Sequence, residues 1–354
     1  MKRFLFALLA LLALAPAAAA QSTLPMDKGL PVRVQAAVSF VEINSFDENS
    51  AKFHATVDVR LRWKDLRLRQ PAENAGDPPQ VMRGADADTR LAGLWSPNMS
   101  IVNLDGDPSY TSTGLRIYPD GTIELMKRVS GNFSTNFDAT RFPFDRQKLT
   151  VQVAVRDQTT DTVALEFDQS DLDFSQPAED SILEGWSLGL VSLKSDPMPG
   201  WYLSESPRVT ASLEITRYPG LVVAAIFIPL FASLLIPLLA IWLNHIEDGR
   251  FAIETFELVN LIIGGLFAII ALNFTIYGSY GVLAVGDNAV NRLFALNYVA
   301  LAVALLVNVL FYRFHVFEKL FGRYVQEQLY LFLTWAIPVL VLSVAGAVML
   351  VTVV

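Results

Sequence analysis

Apolar and polar positions follow two different patterns on either side of residues 217–220. Before this point, segments such as 57–63 and 149–155 alternate apolar and polar residues, the period of a half-buried β-strand. After it come four mainly apolar stretches, 221–243, 256–277, 293–314 and 329–354. Each can cross about 30 Å of hydrocarbon as a helix. The pattern predicts a β-rich domain followed by four membrane spans.

The β-rich part carries turn signals between its alternating segments. They recur at 105–108, 119–121 and 197–200, where Pro, Gly and Asp cluster. Many short strands without helical periodicity favour an all-β, immunoglobulin-like sandwich over residues 21–218. The polar segment 70–89, rich in Pro, Gly and Asp, is predicted to be an exposed loop. The all-α transmembrane domain is predicted to occupy 219–354.

Residues 1–20 have the pattern of a secretory signal peptide, with Lys2 and Arg3 before an apolar stretch and Ala18–Ala20 before Gln21. An uncleaved anchor helix is the alternative. Lys and Arg are more frequent in the loops predicted to be cytoplasmic. We therefore expect a multi-pass protein of a bacterial inner membrane, with the sandwich in the periplasm or extracellular space and the C-terminus on the same side.

The formal net charge of −8 is carried mainly by the β-rich part. An acidic domain disfavours nucleic acid as a partner and enriches cations near its surface, although solubility alone also explains the charge. The 354 residues contain no cysteine, which excludes disulfides, thiolate catalysis and cysteine-ligated zinc. We find no nucleophile–base pair, phosphate-binding glycine loop or metal-spaced cluster, so no catalytic residue, metal or cofactor is expected.

The second apolar stretch differs from the others because it contains polar groups at helical spacing. Polar groups at bilayer depth are costly unless they face protein or water. Two interpretations remain open: ordinary helix packing through Gly and Asn, or the lining of an ion pore. A pore lined by one helix per subunit requires a ring of identical subunits. The stripe consists of Glu257, Asn260, Gly264, Phe267, Ala271 and Phe274.

Residues 142–147, Phe-Pro-Phe-Asp-Arg-Gln, are too apolar for an ordinary exposed turn. Such a loop needs an apolar surface to rest on, and the membrane domain would supply one. An aromatic–Pro bond also populates the cis form more readily than other peptide bonds. The motif therefore suggests a loop through which the β-domain acts on the membrane domain.

Taken together, these motifs and four spans in this order resemble the pentameric ligand-gated ion channels, and the bacterial members in particular. The resemblance covers nearly all of the mature chain, and the short segment 315–328 is similar to bacterial members without a large intracellular domain. The shared order and spacing of the motifs are more specific than any one of them. They are Ser45–Glu48 leading to Trp63–Leu68, Leu94–Asn103, Pro119–Thr122, Phe142–Gln147, Gly185-Trp186 and Arg217.

The resemblance implies a homopentamer in a lipid bilayer, gated by a small-molecule agonist bound between neighbouring sandwiches and passing inorganic ions. Coupling to the pore would run through the 142–147 loop, the turn after the first strand and the linker after the second span. A buried Asp145–Arg217 pair fits that role, and a turn cap is the alternative for Asp145. The implied coupling residues are Asp47, Glu48, Phe142, Pro143, Phe144, Asp145 and Arg217.

The chain departs from the animal members of the family at several positions. Thr135 and Leu149 stand where their loop cysteines would be, and the linker 278–291 lacks the usual proline. Arg156 and Asp58 stand where aromatic residues would form a cage for an ammonium group. Arginines favour a carboxylate ligand instead, although solvated strand faces would explain them equally well. The ligand-binding candidates are Arg128, Arg156, Trp201 and Tyr202.

Five copies of Glu257 would ring the cytoplasmic mouth of the pore, which predicts cation selectivity. Rings of Phe267 and Phe274 are predicted to close the gate by dewetting. A helix register shifted by one residue would place Leu261, Gly265 and Ala268 in the pore instead. The alternative to a channel is a membrane-anchored periplasmic sensor or binding protein without a conducting pore.

Overall fold

The computed structural model describes residues 23–26, 29–74, 76–178, 180–247, 250–251, 253 and 255–353. The predicted signal peptide lies outside these residues. The chain forms two compact units, and the first comprises the residues up to 136 together with 147–215. The second comprises residues 137–146 and 216–354. The short segment 137–146 therefore packs with the helices, although by sequence it belongs to the β-rich part.

The first unit is a β-sandwich of a six-stranded and a four-stranded sheet, as predicted. Alternate residues of β2 and β12 are buried because successive side chains point to opposite faces of a sheet. The sheet orders are β3-β5-β6-β2-β1-β8 and β4-β7-β12-β9. The strands are β1 Val32–Asp47, β2 Lys52–Lys64, β3 Gln80–Arg83, β4 Met99–Ile101, β5 Leu104–Ile117, β6 Thr122–Ser134, β7 Arg146–Val155, β8 Val163–Glu166, β9 Trp186–Ser195, β10 Met198–Pro199, β11 Glu205–Ser206 and β12 Arg208–Arg217.

The prediction of a plain exposed loop over residues 70–89 is wrong. This segment contains β3, which pairs with β5 in the register Arg83–Gly114, and the start of helix α1, Ala85–Ala92. The sequence of β3 shows no clear alternation, and three of its four residues are exposed. An edge strand of this kind forms through its backbone pairing with a neighbour, which composition does not reveal.

The helix α2, Gln169–Phe174, anchors the segment that precedes β9. The buried carboxylate of Asp171 accepts bonds from Arg60 at 2.8 Å and Arg62 at 2.9 Å, both on β2. Asp168 and Asp171 also form a capping box at its N-terminus. Two guanidiniums and a helix cap thus satisfy one buried charge, as buried charges require.

The second unit contains four helices long and apolar enough to cross a membrane. The first and second helices match the predicted spans within two residues at each end, and the third and fourth begin four and six residues earlier than predicted. The third helix begins earlier because Asn288 caps it by accepting a bond from Asn291 N. Two further short elements are the pair β13, Ile246–Glu247, with β14, Arg250–Phe251, and helix α6, Val316–Phe321. The span helices are α3 Gly220–Trp242, α4 Thr255–Ser279, α5 Ala289–Arg313 and α7 Arg323–Val353.

A polar clasp joins the first and third spans inside this bundle. The Ser233 hydroxyl lies 2.9 Å from Oδ1 of Asn297, which is fully buried, and the Asn297 amide donates to the Leu293 carbonyl at 3.0 Å. Polar groups satisfied in this way fix which helix faces meet in an apolar environment. The bundle therefore has a defined packed side, which matters for the orientation of α4.

Candidate ion pore and coupling site

One face of α4 packs against the other helices of its own bundle. Its buried residues recur at intervals of three, four and seven, as a helix surface requires. They are Leu258, Ile262, Gly265, Ile269 and Ile276.

The predicted pore stripe lies on the opposite face of α4. All six of its residues are exposed in the single chain. Phe267 and Phe274 are 67% and 75% exposed. The polar and aromatic stripe therefore faces away from its own bundle. Contacts with the helices of its own subunit do not account for the stripe, and its role as a pore lining stays a prediction.

The two adjacent glycines of α4 distinguish the possible registers of the stripe. A Cβ at Gly265 would lie 2.6 Å from Cγ2 of Ile236 in α3 and 3.3 Å from Cδ2 of Leu301 in α5. A Cβ at Gly264 would have no heavy atom within 4 Å in the part of the chain that the structure describes. Gly265 thus belongs to the packed face, which disfavours the register that places it in a pore.

The ring of Phe142 is the anchor of the 137–146 segment. It is fully buried in the apolar core of the helical unit. Its centroid lies 6.4 Å from Phe227 in the first span and 6.1 Å from Tyr280, just after α4. The Phe142–Pro143 peptide bond is cis. The apolar surface that the sequence required for this loop is present, and it includes Phe227 of the first span and Tyr280 just after the second.

Asp145 and Arg217 form a buried, bidentate ion pair. The guanidinium donates to the two carboxylate oxygens at 2.6 and 3.1 Å, and the side chains are 2% and 4% exposed. Arg217 also lies over the ring of Phe142, with its Cζ 4.9 Å from the centroid. The pair thus holds the end of β12 to the anchored loop. The alternative of an isolated turn cap at Asp145 does not describe this contact.

Sequence reasoning missed Tyr280 and Phe227, the two aromatic residues whose rings pack against Phe142. Both stand in apolar stretches where nothing in the pattern separates a loop contact from a core residue. Only Tyr280 had a signal, as an aromatic residue immediately after the predicted pore helix. Phe227 ends a π-helical turn, Val223–Phe227, and such turns are frequent at functional sites.

The linker after α4 is held by asparagines. Asn291 donates to the carbonyls of Leu283 at 2.9 Å and Gly286 at 2.8 Å, and its Oδ1 accepts from the Tyr277 hydroxyl. Asn288 donates to the same Leu283 carbonyl at 2.9 Å. These bonds define the linker geometry that the missing proline left undetermined.

The turn that follows β1 is held by hydrogen bonds to the carboxylate of Asp47. Oδ2 of Asp47 accepts from the Ser50 hydroxyl at 2.6 Å, and Oδ1 accepts from Asn49 N at 3.0 Å. The Ser50 bond is the main reason why the pKa of Asp47 lies below its usual range. Glu48 follows in the same turn, and the coupling role of both residues stays a prediction.

A hydrogen bond joins the two ends of the loop around Phe142, at the position where the resemblance implies a disulfide in the animal members of the family. The Thr135 hydroxyl donates to the Lys148 carbonyl at 2.7 Å, next to Leu149. Thr135 N also donates to the Ala51 carbonyl at 2.8 Å. The ends of the loop are therefore held by the Thr135 side chain and by a backbone bond to the turn at Ala51.

The ligand-binding candidates fall into two groups. Arg156 is grouped with Trp201 and Tyr202 because residues 155–160 bond to residues 205–207, which closely follow the two aromatics in sequence. Val155 N donates to the Pro207 carbonyl at 3.1 Å, and Thr160 N to the Glu205 carbonyl at 2.9 Å. Trp201 and Tyr202 are 85% and 97% exposed.

Arg128 lies in the other sheet, on the exposed face of β6. It makes a bidentate pair with Asp58 of β2, with both donor–acceptor distances 2.7 Å. The pair lines an open groove of about 420 Å³ whose wall also carries Arg83, Arg116 and Glu124. Three arginines against two carboxylates leave the groove with a positive balance.

No group of three or more His, Asp or Glu side chains is placed to hold a metal ion within the described parts of the chain. The described parts of the four spans contain few histidines and carboxylates. Glu257 lies in the first turn of α4. Its carboxylate is exposed on the stripe.

Residues 20–219 match the family model of the neurotransmitter-gated ion-channel ligand binding domain. A proton-gated ion channel from Gloeobacter violaceus is 26% identical over 247 residues, covering 69% of this chain and 63% of the relative. The glycine receptor subunit beta of Rattus norvegicus is 24% identical over 258 residues, covering 67% and 48%. The chain therefore spans only about half to three-fifths of the length of these curated relatives.

Proposed function

The chain belongs to the neurotransmitter-gated ion-channel family, and from this premise we propose that it is one subunit of a homopentameric, ligand-gated channel. The observation that carries the proposal is the exposed stripe of α4, which lies opposite the packed face of the same helix. Its order, from an acid through Asn and Gly to two Phe, fits a pore that is polar at one end and closed by apolar rings at the other. The four spans make the chain a multi-pass membrane protein, and we propose the bacterial inner membrane as its location.

Cation selectivity is the second part of the proposal. Five Glu257 carboxylates at one depth would produce a strongly negative potential, because their fields add in a narrow, poorly screened passage. The acidic first unit would enrich cations above the pore. Neither effect requires a bound cofactor.

The agonist is proposed to bind between neighbouring sandwiches. Arg156 with Trp201 and Tyr202 would supply one side and the groove around Arg128 the other. Because Arg128 is already paired with Asp58, its remaining N–H groups and the positive balance of the groove are what an anionic group would meet. A small carboxylate is the ligand class that fits planar guanidinium donors.

The experiment that tests the channel uses Phe267→Ala to open the gate without an agonist. Purified Phe267→Ala protein in planar bilayers should conduct continuously, whereas the parent protein should be mostly closed. In asymmetric KCl its reversal potential should lie near the K⁺ equilibrium potential. Adding Glu257→Ala should move it toward the value for Cl⁻.

Two outcomes would count against the proposal in different ways. Absence of current from correctly assembled Phe267→Ala protein would favour a sensor or binding protein without a pore. An unchanged reversal potential after Glu257→Ala would leave the channel standing and remove the proposed origin of its selectivity.

A further inference from the structure

The loop between the first and second spans is closed by one buried side chain, Asn244. Its Oδ1 accepts from Ile253 N at 3.0 Å, and its Nδ2 donates to the Ile253 carbonyl at 3.4 Å. Asn244 is 2% exposed. The Asn244 carboxamide thus bonds to both the backbone N–H and the backbone carbonyl of Ile253, as a neighbouring strand would, and joins the two ends of the loop.

Asn244 is itself held by the fourth span. The Tyr330 hydroxyl, in α7, lies 2.6 Å from the Asn244 carbonyl and 2.8 Å from the Ile241 carbonyl. Both carbonyls stand at the C-terminal end of α3, where a helix leaves its last acceptors without backbone partners. Tyr330 therefore caps the first span and fixes the start of the loop at the same time.

An aromatic cluster surrounds this contact. The ring of Phe251 lies 4.4 Å from Tyr312 and 5.2 Å from Tyr330, both in edge-to-face arrangement. Such pairs add to the free energy gained by burial of the rings. The loop base is thereby fixed to the third and fourth spans as well as to the first.

The pore helix begins directly beyond this base. Ile253 is bonded to Asn244, α4 starts at Thr255, and Glu257 lies in its first turn. With so short a connection, the position of Ile253 determines the depth and distance from the pore axis at which the Glu257 carboxylate stands. Electrostatic potential falls with distance, so a small outward movement of each carboxylate weakens the field of the ring.

We propose that Asn244 and Tyr330 are positioning residues for ion selectivity, and that they act by setting where the Glu257 carboxylates stand. The inference rests on the proposed pore lined by α4. It assigns a role in permeation to the fourth span, whose Tyr330 lies behind the packed side of the bundle and away from the exposed stripe.

The test compares reversal potentials in asymmetric KCl for Asn244→Ala and Tyr330→Phe, each in the Phe267→Ala background. Both should shift in the same direction as Glu257→Ala and lower the single-channel conductance. Thr352→Val is the matched control, because it removes a buried hydroxyl at the opposite end of α7 from Tyr330, where it donates to the Met349 carbonyl at 2.7 Å. It should leave the reversal potential unchanged.

A double variant separates positioning from stability. Asn244→Ala combined with Glu257→Ala should give the reversal potential of Glu257→Ala alone, because the position of a carboxylate no longer matters once it is removed. Asn244→Ala channels with the background reversal potential, or an effect that adds to that of Glu257→Ala, would overturn the inference. If Asn244→Ala does not assemble, Tyr330→Phe keeps the ring packing and decides the same question.

Failure of this inference and failure of the proposed function are distinguishable. If Glu257→Ala itself has no effect, the acidic ring does not set selectivity and the proposed function is at fault. If Glu257→Ala shifts the reversal potential and neither Asn244→Ala nor Tyr330→Phe does, only the positioning role is wrong.

Discussion

At the scale of single residues, two ion pairs with the same bidentate geometry differ in how deeply they are buried. Asp145–Arg217 and Asp58–Arg128 are both bidentate, yet the arginine side chain is 4% exposed in the first and 48% in the second. Removing one partner of a buried pair leaves an uncompensated charge, whereas an exposed charge is readily hydrated. The two pairs should therefore respond differently to the same substitution.

We expect Asp145→Asn to destabilise the protein by about 3–5 kcal/mol, because the buried Arg217 guanidinium loses its counter-charge. Asp58→Asn is the matched control and should cost about 0.2–1 kcal/mol, as exposed pairs do. Thermal unfolding of the purified proteins, followed by tryptophan fluorescence, measures both. Similar losses for the two variants would contradict the assignment of Asp145 as a buried anchor.

The sequence identified Asp145 and Arg217 as partners because each stands in a motif with a family resemblance. It could not identify Tyr280, Phe227, Asn244 or Tyr330, since their roles depend on contacts between residues distant along the chain. Asn244 is separated from Tyr330 by 86 positions, and neither lies in a pattern of its own. Local periodicity and turn chemistry carry no information on such pairs.

At the scale of elements, α4 shows how packing determines the register of a helix face. Its sequence is apolar almost all round, so the pattern alone leaves the orientation uncertain by one residue. The structure adds the contacts of Gly265 with Ile236 and Leu301, which only a residue without a side chain permits. The spans themselves were predictable because long apolar stretches are a strong signal, whereas β3 had no comparable signal.

A pair of substitutions tests this orientation. Gly265→Ala should destabilise the bundle by about 1–3 kcal/mol through overpacking against α3 and α5. Gly264→Ala, one position away on the exposed stripe, should raise stability by about 0.4–1 kcal/mol, because Ala favours the helix and its Cβ meets no neighbour. Equal melting temperatures for the two variants would show that the packed face has been assigned wrongly.

At the scale of the whole molecule, a single chain presents two incomplete surfaces. If the exposed stripe of α4 lines a pore, as proposed, other copies must enclose it, and the two proposed groups of ligand residues lie in different parts of one β-domain. A closed ring of identical subunits brings unlike faces of neighbours together at every interface. Both features thus call for the same assembly.

Mixed assemblies provide a prediction for this arrangement. Propionate should raise the melting temperature of the parent protein, and neither Arg156→Gln nor Arg128→Gln homomers should respond. When the two variants are co-expressed, some interfaces combine an intact Arg156 with an intact Arg128, so part of the response should return.

Class averages of the same preparation in the electron microscope should have fivefold symmetry. A propionate response retained by either homomer would mean that the carboxylate site lies elsewhere. Another symmetry would refute the pentamer.

The loop around Phe142 is closed by the Thr135–Lys148 hydrogen bond and not by a disulfide, which makes the chain convenient for spectroscopy with introduced cysteines. Because none of the 354 residues is cysteine, a cysteine introduced at any chosen position is the sole thiol of the subunit. A fluorophore or spin label then reports from one place per copy, without first removing a native disulfide. Movements of the loop and of the pore helix can therefore be followed in otherwise unaltered protein.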